Sequence, residues 1–262
     1  MIKIGLVVWL GMLCSMHVYA EQSKLVAHPI HLKNGKQFSL TLPANFEIIP
    51  AAEGLKRVRF FAKAPDGRMF VTDMYDLTDN PKGTIYILDE WNAETGKFGK
   101  VIPYITGLRN PNSVQFYTDL DGQDWIYIAE THQLTRRKFT QGETKPTSKA
   151  EVLATFPDYG LSYKYGGWHL TRTIAFSNDG KMYVSVGSSC NACVEKEKLR
   201  ASVLEMNADG SDQKIYASGL RNSVGLKWIG QSLFATNQGS DHLGKNKPDE
   251  TFYALKRDVD YG

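Results

Sequence analysis

The sequence predicts an all-β fold, a β-propeller of the six-bladed type with about four blades present. Three observations predict it: a hairpin pattern at near-constant spacing, a second motif at twice that spacing, and a composition suited to strands and tight turns. The 262 residues include 23 Gly and 13 Tyr. Gly supplies positive φ in turns, and aromatic rings pack well on half-buried sheet. Hydrophobic content of 42% provides for a sizeable core, and 23% charged residues argue against global disorder. A net charge of +3, with Lys and Arg scattered among Asp and Glu, excludes a dedicated nucleic-acid binder.

The first element is an export signal at 1–20, leaving 21–262 as one partial propeller domain. Lys3 is a short basic region, Ile4 to Met16 carries no charge, and Val18-Tyr19-Ala20 precedes Glu21 as a small-x-small cleavage pattern. The apolar run falls short of the roughly 20 residues a bilayer span needs, so no stable membrane anchor is expected after cleavage. A periplasmic or secreted protein follows.

The repeats come next. Arg59-Phe60-Phe61-Ala62 leads through Asp66-Gly67 to Met69-Phe70-Val71-Thr72. Ser113 to Phe116 leads through Asp121-Gly122 to Trp125-Ile126-Tyr127-Ile128-Ala129, and Thr173 to Phe176 through Asp179-Gly180 to Met182-Tyr183-Val184-Ser185. A weaker copy runs from Val224 to Trp228 through Gly230 to Leu233-Phe234-Ala235. The strand centres Val71, Tyr127, Tyr183 and Phe234 are 56, 56 and 51 residues apart. Gly107-Leu108-Arg109-Asn110 recurs 112 positions later as Gly219-Leu220-Arg221-Asn222, which is two periods. Strand, Asp-Gly turn, strand and then further strands, such as Gly83 to Leu88 or Ala201 to Met206, make one antiparallel blade per period. A β-sandwich is the alternative. Six such units need roughly 300 residues or more, so this chain is expected to be a truncated or open ring.

Two cysteines remain after the signal, Cys190 and Cys193, and an oxidising compartment favours a small-loop disulfide between them. Val194 stands where c-type haem attachment would need His, and a structural zinc site would normally want a second Cys or His pair. Redox chemistry of the pair is the lesser alternative.

Four clusters carry chemistry-bearing side chains: Gly166 to Arg172, Gly219 to Asn222, Gly187 to Cys193, and Asn237 to His242 with Asp249-Glu250. His169 stands at the entry of the third blade's inner strand, where it is expected to face the central channel. Arg221 enters the fourth blade at the corresponding place, so the pair joins a proton acceptor to a permanent cation. The plainer alternative is that Arg221 caps a turn, which its twin Arg109 supports. The last cluster offers carboxylates and carbonyls to a hard cation such as calcium, without EF-hand spacing.

These clusters, in this order, resemble the sorbosone dehydrogenase-like proteins, which belong with the soluble glucose and aldose sugar dehydrogenases that use pyrroloquinoline quinone (PQQ). The run from Trp168 to Phe176, Cys190-Asn191-Ala192-Cys193, Gly219 to Asn222 and Asn237 to Asp241 carries the resemblance, which spans roughly 45–262. It implies a six-bladed propeller binding PQQ and calcium over the channel. The implied reaction oxidises a sugar or aldehyde and passes electrons to a periplasmic acceptor. His169 matches the general base, Arg221 the arginine beside the reactive quinone carbonyl, and Asn222 its neighbouring contact. Gly239 and Ser240 match the carbonyl donors to calcium.

Two departures stand out. Ser188 follows Gly187 where the glucose dehydrogenases place an Asp that orients the base, and Ser cannot stabilise an imidazolium as a carboxylate does. The basic residues that clamp the PQQ carboxylates come from later blades, which implies weak PQQ binding and little activity in this chain. The alternative functions are a calcium-dependent lactone hydrolase and a non-enzymatic propeller that binds a partner or glycan.

Overall fold

The computed structural model describes residues 23–158, 160–161 and 168–262. The expected signal at 1–20 and the Gly166-Gly167 pair lie outside the described residues. The chain divides into two compact units, Met1–Pro50 and Ala51–Gly262. In the first, β1 (Leu25–His31) and β2 (Gln37–Pro43) pair antiparallel across a turn in which Gly35 has φ of 83°.

The second unit is the propeller, and among the described residues all its regular elements are strands. Blade 1 is β3 (Val58–Lys63), β4 (Met69–Asp73), β5 (Gly83–Asn92) and β6 (Lys97–Leu108). Blade 2 is β7 (Ser113–Thr118), β8 (Asp124–Ala129), β9 (Gln133–Lys138) and β10 (Glu151–Thr155). Blade 3 runs β11 (Arg172–Phe176), β12 (Met182–Val186), β13 (Ser202–Met206) and β14 (Lys214–Ser218). Blade 4 has β15 (Leu226–Ile229), β16 (Ser232–Asn237) and β17 (Thr251–Leu255). The first strands line up side by side, β3 against β7, β7 against β11 and β11 against β15. The expected all-β propeller with four blades is what the chain forms.

The Asp-Gly signals sit where the periodicity puts them. Gly67, Gly122 and Gly180 hold φ of 87°, 80° and 81°, and each amide closes back on the carbonyl of Ala64, Asp119 or Ser177. Only a residue without Cβ takes that left-handed geometry at little cost, which keeps the hairpin in register.

Blades join through three apolar seams. Phe70, Ile85 and Ile87 of blade 1 meet Val114, Ile126 and Ile128 of blade 2. Tyr127 and Leu134 meet Ile174, Met182, Val184 and Leu204 of blade 3, and Tyr183, Val203 and Ala217 meet Leu226, Leu233 and Leu255 of blade 4. Successive residues of β8 and β12 face opposite seams, so these strands are buried on both sides; Trp125 to Ala129 reads as an unbroken apolar run, and Ser185 interrupts the one in β12. Each fully buried aliphatic contributes about 1.5–3 kcal/mol, and the seams replace the single core of a sandwich.

A final strand, β18 (Val259–Asp260), returns to pair parallel with β14 and makes blade 3 five-stranded. Gly219 makes room for this return: a Cβ there would collide with Asp260 Oδ1 and the Gly262 amide.

Candidate functional site

In an antiparallel blade the first strand begins and the second strand ends at the same rim. A cleft of about 480 Å³ opens there, lined by Arg59, Met74, Leu77, His169, Leu170, Thr171, Asn222, Val224 and Gln238. Blades 1, 3 and 4 all contribute. The expected position of His169 at the inner-strand entry is the observed one.

His169 is held from three sides. Its backbone takes φ of 45°, uncommon for a residue with a Cβ, and the buried Arg172 guanidinium donates to its carbonyl at 2.9 Å. Arg172 also donates to the carbonyls of Thr171 and Pro157, so three acceptors hold a cation that burial pushes below its usual pKa. Gly187 packs against the ring's root: a Cβ there would collide with His169 Cβ and lie 2.9 Å from Asn222 Oδ1. The third support is Ser188, whose Oγ lies 2.8 Å and whose carbonyl lies 3.2 Å from His169 Nδ1.

These contacts assign the tautomer. Ser188 Oγ donates its one proton to the Cys190 carbonyl at 2.7 Å, so both groups facing Nδ1 act as acceptors. The imidazole therefore carries its proton on Nδ1 and keeps the Nε2 lone pair for other work. Burial, and after it the Arg221 charge, pulls the His169 pKa from 6.5 down to about 4. At neutral pH the ring is an uncharged acceptor. Ser188 fills the orienting place as the sequence suggests, but as a dipole rather than a charge.

Arg221 is placed differently from the expectation that it shares the channel mouth with His169. It lines a second cleft of about 700 Å³, together with Ser188, Asn191, Cys193, Glu195, Lys198 and Ser240. Its guanidinium is occupied by Asn191 O at 2.6 Å, Asn191 Oδ1 at 2.7 Å and Asp241 Oδ2 at 2.7 Å. Its reach to His169 is electrostatic. Asn222 does line the His169 cleft, with Nδ2 donating to Gln238 Oε1 at 2.5 Å. Gly239 donates its amide to Glu250 Oε2 at 3.0 Å, and Ser240 faces the second cleft. Cys190 and Cys193 are disulfide-bonded, as expected.

Two residues with a part in the site, Arg59 and Asn112, carry no local signal, and a third, Gln238, sits inside the Asn237 to His242 cluster without being singled out there. Arg59, from the first blade, reaches the His169 cleft with Nε donating to Asn112 Oδ1 at 3.1 Å, and burial, then Arg57, lowers its pKa. Gln238 lies 69 positions beyond His169. Asn112 is fully buried and spans three blades: it accepts from Arg59 and donates to Arg172 O at 3.0 Å and Thr173 Oγ1 at 3.1 Å. Thr173 Oγ1 passes the chain on to Val224 O at 2.7 Å, in blade 4. A belt of hydrogen bonds thus ties the four inner strands beside the cleft.

Fold and rim together define a β-propeller with a polar cleft where its inner strands converge. No family model matches the chain. A protein of Borreliella burgdorferi, described as uncharacterized, is 24% identical over 220 residues, 80% of this chain and 52% of that protein. The chain therefore spans about half the length of that curated relative. Among solved structures, the holo PQQ domain of pyranose dehydrogenase from Coprinopsis cinerea superposes with a TM-score of 0.61 at 18% identity, over 80% of this chain and 53% of that one. PQQ-bound aldose sugar dehydrogenase from Streptomyces coelicolor gives 0.59 at 20% identity, over 81% and 64%. Regucalcin from Agrobacterium tumefaciens, a calcium-binding protein, gives 0.52 at 19% identity, over 77% and 62%. At these identities the likeness is one of fold.

Proposed function

We propose that these blades form the base side of a PQQ-dependent oxidoreductase acting on a sugar or aldehyde. The observation that carries this reading is His169: neutral, Nδ1-protonated, and lining the cleft at the inner-strand rim. A substrate hydroxyl in the cleft would give its proton to Nε2 while Ser188 keeps the ring oriented. The donors fit a flat polyanion in part. Arg59 and Asn222 would hold PQQ in the cleft, whereas Arg221 is engaged with Asn191 and Asp241. PQQ, when bound, supplies the two-electron acceptor for hydride. Calcium on the Gly239 and Ser240 carbonyls belongs to the same reading. Residues 1–20 then serve as a cleaved export signal and a periplasmic protein receives the electrons; the Cys190–Cys193 disulfide supports an oxidising compartment.

The test is a PQQ titration with calcium, followed by dye-linked oxidation of aldoses and aldehydes. Turnover that depends on added PQQ and calcium is the expected result. Arg59→Met and Asn222→Ala should weaken PQQ binding by about tenfold or more. His169→Ala should keep PQQ binding and lower dye reduction by about 10²–10⁴-fold. PQQ binding indifferent to Arg59→Met and Asn222→Ala, or lactone hydrolysis without PQQ, would sink the reading.

A further inference from the structure

The second cleft holds a group of side chains that His169 chemistry leaves unused. The ligand atoms of Cys190, Cys193 and Glu195 all lie within 4.8 Å of one another. Glu195 Oε1 accepts from the Ser189 amide at 2.6 Å and stands 4.0 Å from Cys193 Sγ. Its other oxygen, Oε2, is buried and has no hydrogen-bond partner among the described residues. A buried carboxylate oxygen left bare is costly and calls for a ligand of its own.

We propose that the reduced Cys190–Cys193 pair, with Glu195, forms a binding site for a zinc-class divalent metal, which the disulfide closes. Two thiolates and a carboxylate make the donor set of a borderline-soft ion, and three protein ligands leave one position open. That position faces the cleft, which Cys193 and Glu195 both line. The three anionic ligands exceed the ion's charge by one. Arg221 and Lys198 line the same cleft and offset that excess.

The loop is held by more than the sulfur–sulfur bond. Asn191, inside the ring, accepts from Arg221 through both oxygens, accepts from the Asp241 amide at 2.7 Å, and donates to the Asp241 carbonyl at 3.1 Å. Ser188 Oγ holds the Cys190 carbonyl. Cutting the disulfide therefore leaves the ligands near their places. Opening the site takes two electrons and two protons from a dithiol, which itself becomes a disulfide, and the metal then displaces the two thiol protons.

The experiment uses cobalt(II) as the probe on the whole protein. One sample is reduced with a phosphine, which becomes the phosphine oxide, and freed of it without air; the other stays oxidised. The reduced protein should bind one cobalt per chain with a thiolate-to-cobalt charge-transfer band, and the oxidised protein should show no such band. Zinc should displace the cobalt and abolish the band. Glu195→Gln keeps the side chain's shape and should weaken binding by about tenfold or more; Cys193→Ser should reduce the band's intensity. A reduced protein without the band, or an affinity unchanged in Glu195→Gln, overturns the proposal. Circular dichroism of the reduced protein checks that the blades persist; loss of that spectrum on reduction also overturns it, because the site requires a loop that outlasts the disulfide.

Discussion

Arg109 and Arg221 hold the third position of the same four-residue segment, Gly-Leu-Arg-Asn, at the exits of blade 1 and blade 3. Their surroundings have little in common. Arg109 lies between Asp79 and Asp158, with Nε to Asp79 Oδ1 at 2.7 Å and Nη1 to Asp158 Oδ2 at 2.9 Å. These carboxylates raise its already high pKa further. The following Asn110 is fully buried and bonded to Asn80 and Thr78. Arg221 instead grips the disulfide loop through Asn191 and pairs with an Asp241 carboxylate that is 55% exposed. Both arginines line clefts, that of Arg109 being about 390 Å³. Asn222 opens on the cleft of His169. One motif thus sets its arginine between two carboxylates in the first case and against the disulfide loop in the second. What separates them is supplied by loops 20 or more residues away.

The comparison breaks most directly at the two arginines. Arg109→Met strands the buried Asp79 carboxylate and should cost about 3–5 kcal/mol, read from urea midpoints. Arg221→Met should cost about 1 kcal/mol or less, since its carboxylate partner stays solvated. Equal losses would show that both corners are structural locks. Two residues past each corner stand Asn112 and Val224. Asn112→Ala removes the side chain joining Arg59, Arg172 and Thr173, and should cost about 2–3 kcal/mol. Val224→Ala leaves its backbone acceptor intact and should cost less, by the same unfolding assay.

Acid sharpens the contrast. The folded pKa of His169 lies below its unfolded value, so between pH 6.5 and about 4 the unfolded chain binds the extra proton. Stability should fall as pH drops through that window, and the loss should shrink in His169→Gln. Removing the Arg221 charge, as in Arg221→Gln, should raise the His169 pKa, followed by NMR of the ring protons; Arg109→Gln should leave it in place. Asn191→Ala should also cost no more than about 1 kcal/mol, because it removes one acceptor of Arg221 without burying a bare charge. A larger loss would make the disulfide loop part of the blade junction.

Much of the fold is written locally. Asp66-Gly67, Asp121-Gly122 and Asp179-Gly180 fix hairpins by backbone sterics alone, and the doubly buried β8 and β12 follow from their largely apolar runs, which Ser185 interrupts in β12. The Asn34-Gly35 turn of the β1–β2 hairpin carried the same signal outside the repeat register. His169 was legible because strand entry places a residue at the rim whatever its partners are. The second cleft was not, because it depends on which acceptor Arg221 finds, and Asn191 and Asp241 come from separate loops. Arg59 and Asn112 entered the site through contacts between blades, which no local pattern encodes. Glu195 passed unnoticed because a carboxylate two residues after a Cys becomes informative only when one of its oxygens is seen to be buried and bare.

The parallel pairing of β18 with β14 has a consequence for how the protein meets its neighbours in solution. The outermost strand of each blade presents unpaired amides and carbonyls to which a foreign strand can add. On blade 3, β18 occupies that row beside Ala217 and Ser218. On blade 1, β6 carries Pro103 with Lys97 and Lys100, a composition that repels strand addition. Blade 4 is guarded less, since β17 is its outermost described strand and presents Phe252, which is 66% exposed. Blade 2 ends on β10, which presents Val152 at 58% exposure, so strand addition should favour β17 and β10, and Phe252→Lys should reduce the share that runs through β17.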